Sequence, residues 1–263
     1  QTAFYIRAVI YFVGLGLVGF LARRNSISQD AEGAPVYTIR NRKLAFIGIP
    51  VLGLSLTFAA VDWLMGLDYH WFSTMWGVYI FAGGAGAAMG LLVLIITALK
   101  RAGHLDVVSM EHYHIMGKLM LAFCIFWAYI GFSQYMLIWY ANLPEETSYY
   151  LRRNIGSWWY LNIFMVVGHF FLPFPILLFQ GTKKNPKWIC IVAVWLLMMH
   201  ALDLYIIVLP MLYAKGVAFS LLDLTTLLGI GGILSAAFFR LLPKSSLYPT
   251  NDPRTPESIR LTN

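Results

Sequence analysis

Charged residues are scarce in this sequence, and their scarcity excludes the ordinary soluble globular class. Only 12% of the 263 residues are Asp, Glu, Lys or Arg, whereas 59% are hydrophobic and 16% are aromatic. Soluble domains carry about 25% charged residues. The apolar residues form runs of about 20, the length that crosses a hydrocarbon core about 30 Å thick. The sequence therefore predicts an integral membrane protein with several spans.

Cysteine is nearly absent as well, with Cys124 and Cys190 each alone in an apolar run. Two isolated cysteines exclude a C-x-x-C-H haem attachment site, a cysteine-rich iron–sulfur ligand set and a cysteine-based zinc pattern. We therefore expect the chain itself to hold no cofactor and no metal ion. The net charge of +7 does not indicate nucleic-acid binding, because the basic residues form short clusters between apolar runs, as topology-setting loop charges do.

Seven apolar runs predict an all-α fold, a polytopic transmembrane helix bundle. The predicted spans are residues 2–22, 44–64, 73–99, 118–140, 156–179, 188–209 and 221–242. Residues 23–43 are expected to form a long polar connection and residues 243–263 a tail. Pro173 and Pro175 should kink the fifth span and free backbone carbonyls that neighbouring helices must satisfy.

Small residues recur at close spacing in three of the predicted spans. Such residues let helix backbones approach one another in a membrane, so they predict tight packing of these spans. The three groups are Gly14, Gly16 and Gly19, then Gly83, Gly86 and Gly90, and finally Gly229, Gly231 and Gly232.

Basic residues alternate between the two ends of the predicted spans. Most Lys and Arg residues fall in the connections after the first, third, fifth and seventh spans, and the opposite side holds Arg7, Arg152, Arg153 and Lys215. The positive-inside rule therefore places the N-terminus outside and the C-terminal tail in the cytoplasm. Because Gln1 is not Met and an apolar run begins at once, we also expect a fragment that lacks N-terminal spans.

An ionisable pair lies well inside the sixth predicted span. A charge at the bilayer centre costs on the order of 3 kcal/mol, so such residues are functional candidates. His200 lies near the middle of the span, and Asp203 follows three residues later on the same helix face. A histidine and a carboxylate at this spacing can exchange a proton directly or through one water. A purely structural His–Asp hydrogen bond explains the pair equally well.

Other ionisable residues lie near the span ends. Asp62 and Asp223 are expected near the outer side, whereas the inner side carries Glu111, His112, His114 and Lys118. Titratable groups at both ends and in the middle suit a chain of proton-passing sites, although boundary residues are often only solvated. A solvated loop is the favoured interpretation of the charges at Glu145, Glu146, Arg152 and Arg153.

A haem-binding carrier is a further hypothesis, because His169 and His200 fall at similar depth on adjacent antiparallel spans and could ligate a b-type haem. A second such pair is lacking, since His112 and His114 are two residues apart on one helix and point to different faces. The sequence therefore disfavours haem.

Four segments resemble one membrane protein family. They are AAVDWLMGLDYHWFSTMWGVYIFA at 59–82, EHYHIMGKLM from Glu111, FWAYIGFSQYMLIWYANLPEE from Phe126 and DPRTPESI from Asp252. These segments are similar to the ActF-type membrane subunit of alternative complex III, the bacterial quinol:electron-acceptor oxidoreductase. This subunit type belongs to the NrfD or polysulfide-reductase-like superfamily.

The resemblance implies a subunit of about ten spans in the bacterial cytoplasmic (inner) membrane, so that roughly three spans would be absent here. It implies proton conduction, while an iron–sulfur subunit and c-type cytochrome (haem c) subunits carry electrons from menaquinol or ubiquinol towards a cytochrome or a terminal oxidase. A paralogous membrane subunit would hold the quinol site, and quinone binding by this chain is left open. A structural scaffold surrounded by lipids and partner subunits is the alternative.

The resemblance also assigns a proton path to positions of this chain that match the family's polar membrane residues. They are Asp62, Asp68 and His70 near the outer side, His112, His114 and Lys118 on the inner side, and His200 with Asp203 between them. Asp223 joins this set because of its place near the outer end of the last span. Ser133, Gln134 and Tyr135 could add hydroxyl and amide steps, but packing is the favoured interpretation of those three.

Overall fold

The structure, a computed structural model, describes residues 2–262, and in this part of the chain it contains helices and no strand. The helices are α1 (Thr2–Glu32), α2 (Val36–Trp63), α3 (Trp76–Arg101), α4 (Met110–Ala141), α5 (Pro144–Arg153), α6 (Ser157–Val166), α7 (Pro173–Leu178), α8 (Gln180–Lys184), α9 (Pro186–Val208), α10 (Leu221–Leu241) and α11 (Thr255–Ile259). A π-helical turn, Val167–Phe171, joins α6 to α7, and short 3-10 turns follow α2, α9 and α10.

Among residues 2–262, seven helical stretches are long and apolar enough to cross a membrane, which confirms the predicted all-α class and the predicted number of spans. They are Thr2–Glu32, Val36–Leu67, Trp76–Arg101, Met110–Ala141, Ser157–Leu178, Pro186–Met211 and Leu221–Lys244. Helices satisfy every backbone polar group within one segment, which a hydrocarbon environment requires. The chain is therefore a multi-pass membrane protein.

The expected long polar connection at residues 23–43 is wrong. Helix α1 continues to Glu32 and α2 begins at Val36, so only a short turn separates them. The polar residues face each other across this hairpin: Asn25 donates to Asn41 over 2.9 Å, and Gln29 donates to Thr38 over 2.5 Å. The two helices therefore extend beyond their apolar runs because side-chain hydrogen bonds hold their polar ends together.

The described chain forms two compact units. One comprises residues 2–55 with 218–260, and the other comprises residues 56–217 with 261–262. In the first unit, the carboxylate of Asp30 on α1 accepts hydrogen bonds from Ser246, Thr250 and the Asn251 backbone of the tail. The Asn251 side chain also donates to the Asp30 carbonyl over 2.7 Å. These bonds fix the tail against the end of α1.

In the second unit, α3 packs against both α4 and α9. Its glycines allow this approach: a Cβ added at Gly90 would lie 3.2 Å from the Ala193 carbonyl oxygen, and one at Gly86 would lie 3.4 Å from Phe123. The predicted tight packing is thus confirmed for this group. In the first group Gly14 lies 3.3 Å from Val51 Cγ1, measured from an added Cβ, whereas Gly16, Gly19, Gly229, Gly231 and Gly232 have nothing within 4 Å among the described residues.

The fifth span is interrupted as its prolines predicted. Pro173 has no N–H, so the His169 carbonyl loses its helical partner and accepts instead from the Cys124 thiol, at 3.2 Å. The Leu172 N–H bonds to Val167 in π fashion. That register frees the Gly168 carbonyl, which accepts from the Trp195 indole N–H at 2.7 Å. Side chains from α4 and α9 therefore satisfy both freed carbonyls.

Candidate functional site

A buried carboxylate lies where α3, α4 and α9 meet. Asp203 is 4% exposed, and each of its oxygens accepts one hydrogen bond. The Tyr79 hydroxyl donates to Oδ1 over 2.7 Å, and the Trp127 indole N–H donates to Oδ2 over 2.9 Å. Within residues 2–262, no Lys, Arg or His lies in ion-pair contact with Asp203. The carboxylate is therefore held by neutral donors alone.

The hydrogen bond from Tyr79 also shows where Asp203 lies along α3. Tyr79 belongs to the first turn of α3, which begins at Trp76. Asp203 is therefore level with the first turn of α3. At this end of the unit, α5 connects the fourth span to the fifth.

Two histidines lie beside this carboxylate without touching it. The His169 ring stacks on the Trp127 indole, with centroids 3.9 Å apart. His200 packs against α3, where a Cβ at Gly83 would lie 2.9 Å from its Nδ1. The Nδ1 atoms of both histidines are buried and have no hydrogen-bond partner among the described residues. The structure thus brings His200 and Asp203 to one region but gives both carboxylate oxygens to Tyr79 and Trp127.

A cavity of about 720 Å³ reaches Asp203. It extends between α4, α5, α6 and α9, and its polar lining includes Gln134, Tyr150, Arg153 and Asn162. Aromatic rings form much of the remaining wall, including those of Trp76, Tyr79, Trp127, Tyr149, Trp159, Phe170 and Phe171. The cavity therefore joins the α5 end of the bundle to the buried carboxylate.

The helix α5 closes the same end of the unit through a cluster around Asp68, which is 2% exposed. Arg152 lies 3.1 Å and Arg153 3.9 Å from its carboxylate. The Arg153 guanidinium also sits 3.5 Å from the centroid of the Tyr149 ring and donates to the Ile207 carbonyl over 2.8 Å. The expected solvated loop is wrong here, because Arg153 is only 5% exposed. Burial lowers the pKa of Arg153, an effect that Tyr149 and Asp68 oppose.

Gln134 connects the α5 end to the loop before α3. It accepts from the Ser73 hydroxyl, and its amide donates to the Tyr150 hydroxyl, both at 3.3 Å. Burial raises the pKa of Tyr150 to about 12, so this hydroxyl stays protonated at neutral pH. Tyr135 is 40% exposed and packs edge-on against the Tyr150 ring.

A second polar cluster occupies the opposite end of the unit, where α4 begins. Glu111 bonds to Lys184, and the buried His114 has its Nδ1 3.7 Å from the Glu111 carboxylate. Lys118 follows one turn later and is exposed. The His112 Nδ1 accepts a hydrogen bond from the Ser109 backbone N–H over 3.0 Å. His112 therefore helps to cap the start of α4.

Apolar side chains fill the space between this cluster and the Asp203 region. The buried set is Val93, Tyr113, Met116, Met120, Leu177, Ile189, Val192, Ala193 and Leu196. A small polar group lies beside this apolar set. In it, the Thr97 hydroxyl lies 3.0 Å from the Tyr113 hydroxyl and accepts a hydrogen bond from the Cys190 thiol. The residues expected to form one proton path therefore fall into two separate groups in this unit.

The other three predicted path residues lie on other elements of the structure. His70 is exposed and its ring lies 4.0 Å from that of Tyr69. Asp62 is half-buried on α2. Asp223 belongs to the other unit, where its carboxylate accepts from the Ser220 N–H at 3.0 Å and caps α10.

Sequence reasoning missed Tyr79 and Trp127, the two donors to Asp203. Hydropathy gives no signal for them, because both are aromatic residues within apolar spans and many other aromatic residues share that position. Among residues 2–262 there is no group of three or more His, Cys, Asp or Glu that could hold a metal ion.

Comparison with models of known protein families finds no match, and comparison with curated proteins finds no significant relative.

Proposed function

We propose that this chain is a proton-conducting membrane subunit, with Asp203 as the group that binds and releases the proton. The supporting observation is a buried carboxylate held by Tyr79 and Trp127, without a cation partner among the described residues, at the inner end of a cavity. A carboxylate buried in the protein without a neighbouring cation is suited to taking up and releasing a proton. A carboxylate permanently paired with a cation would stay ionised and would be less suited to taking up a proton.

The cavity supplies the outer half of the proposed path. Protons would pass between the α5 end and Asp203 along the Gln134 and Tyr150 side chains and any water that the cavity admits. The apolar layer of Met116, Met120 and Leu196 separates Asp203 from the Glu111 and His114 cluster. Conduction across the whole span therefore requires a second arrangement of α4 and α9, so we propose alternating access to the two ends.

The resemblance to the ActF type supports a larger assembly. We propose that the chain serves alternative complex III in a bacterial inner membrane, with an NrfD-like fold and a cytoplasmic C-terminus. Iron–sulfur and c-type cytochrome subunits would carry the electrons, as the resemblance implies.

Quinone binding is the second candidate function, and the cavity favours it. A volume of about 720 Å³ lies within the range of small-molecule sites, and aromatic walls with a few polar groups suit a planar apolar ring. Bound menaquinol or ubiquinol would supply two electrons and two protons on oxidation. Asp203 and Gln134 are the side chains of this chain placed to bond the ring oxygens, while the electrons would pass to partner subunits.

Substitution of Asp203 by Asn in the assembled complex, reconstituted into vesicles, tests the proposal. Proton conduction predicts that assembly persists while the proton release beyond the one proton per electron that quinol oxidation itself liberates is lost. A scaffold predicts unchanged release, and quinone binding without pumping predicts a higher KM for quinol with unchanged release per electron. Asp106→Asn is the matched control, because Asp106 is exposed on a loop.

A further inference from the structure

Four lysines gather at the end of the second unit where α4 and α9 begin. They form a lysine patch made of Lys118, Lys183, Lys184 and Lys187. The contacts of Gly117 bring their helices together: a Cβ there would lie 2.7 Å from Lys183 Cγ and 3.1 Å from Ile189 Cδ1. The α8 segment and the start of α9 therefore lie directly on the first turns of α4.

The patch carries an excess of positive charge. Glu111 is the carboxylate that pairs with it, and its partner is Lys184. Lys183 is buried and donates to the Leu177 and Leu178 carbonyls over 2.7 and 3.1 Å. Burial and the nearby charge of Lys118 both lower the pKa of Lys183. Lys118 and Lys187 are exposed, and neither has an ion-pair partner among residues 2–262.

Exposed apolar side chains border the same lysines. Leu119 follows Lys118 and is 40% exposed, Trp188 follows Lys187 and is 56% exposed, and Phe179 before α8 is 69% exposed. Cations beside an exposed indole at the end of a spanning helix are typical of the headgroup level of a bilayer. A site for a soluble anion or an acidic protein would not need this apolar border.

We propose that the lysine patch binds the phosphate headgroup of an anionic phospholipid in the leaflet at that end, with Lys118 and Lys187 as its contacts. The acyl chains would lie along Leu119 and Trp188. Basic sites between spanning helices are known to select anionic headgroups. Lys184 offsets the Glu111 carboxylate, which would otherwise repel the phosphate. This site is separate from Asp203 and its cavity, so the inference does not depend on the proposed function.

Lipid titration of the delipidated full chain, followed by native mass spectrometry, tests the proposal. The probes are phosphatidylglycerol and phosphatidylcholine with identical acyl chains. Each lysine near a headgroup is worth about fivefold in affinity, so Lys118→Gln with Lys187→Gln should weaken phosphatidylglycerol binding about 30-fold and leave phosphatidylcholine unchanged. Lys215→Gln, the same change at an exposed lysine on the other side, should shift the affinity less than about twofold.

Four outcomes would overturn the proposal. Equal affinity of the unaltered chain for the two lipids would remove headgroup selection. A loss of equal size in Lys215→Gln would reduce the effect to net charge. Displacement of phosphatidylglycerol by millimolar inorganic phosphate would identify a free-anion site instead of a lipid site. Should the double variant elute or melt abnormally, each single variant is measured alone, and a loss of less than about twofold in both overturns the proposal.

Discussion

Replacement of Trp127 by Phe tests the hydrogen bond that holds Asp203. The phenyl ring keeps a stacking surface for His169 but removes the indole N–H, so Asp203 Oδ2 loses its donor inside the protein. A buried acceptor left without its partner costs about 1–3 kcal/mol. The smaller ring at a site only 6% exposed adds about 1 kcal/mol for the space it leaves. We expect the free energy of unfolding to fall by about 2–4 kcal/mol.

The assay is reversible unfolding by SDS in bicelles, followed by circular dichroism. Trp139→Phe is the matched control, because Trp139 lies on the same helix, is 61% exposed and should change stability by less than about 0.5 kcal/mol. The same Trp127 change in an Asp203→Leu background should cost only about 1 kcal/mol, since the acceptor is then gone. An equal cost in both backgrounds would refute the hydrogen-bond reasoning.

Three other substitutions check separate parts of the structure. Gly83→Ala should destabilise the protein by about 1–3 kcal/mol, because the added Cβ would lie 2.9 Å from His200 Nδ1, whereas Gly84→Ala has open space and should be neutral in the same unfolding assay. Arg153→Gln removes the hydrogen bond to the Ile207 carbonyl while Arg152 still pairs with Asp68, so it should cost about 1–3 kcal/mol, measured as a lower SDS midpoint. Asp30→Ala removes the acceptor that holds the tail, so limited proteolysis should cut the tail at least several times faster while the rest of the chain stays intact.

The number and type of the spans could be predicted from the sequence because lipid leaves a buried backbone little alternative to the helix. The proline effect in the fifth span could also be predicted, since the missing N–H at Pro173 frees a carbonyl in any context. The extent of α1 and α2 could not be predicted. Their polar ends are helical because Asn25 meets Asn41 across the hairpin, a contact between residues far apart along the two helices.

The hydrogen-bond donors to Asp203 could not be predicted from the sequence either, for a related reason. The spans are apolar on almost every side, so hydropathy does not fix the rotation of each helix about its own axis. That rotation decides whether His200, Tyr79 or Trp127 faces the carboxylate. Helical spacing correctly put His200 and Asp203 on one helix, but it could not show that donors from α3 and α4 occupy both oxygens.

The two side-chain donors to the broken fifth span have a consequence for evolution. Cys124 and Trp195 donate hydrogen bonds to carbonyls that Pro173 and the π-turn leave open, so we expect the three positions to be inherited together. A lineage that replaced Pro173 with a residue carrying an N–H would restore a regular helix and relieve selection on the thiol and the indole. An alignment of homologues should therefore show the proline, the cysteine and the tryptophan gained and lost together.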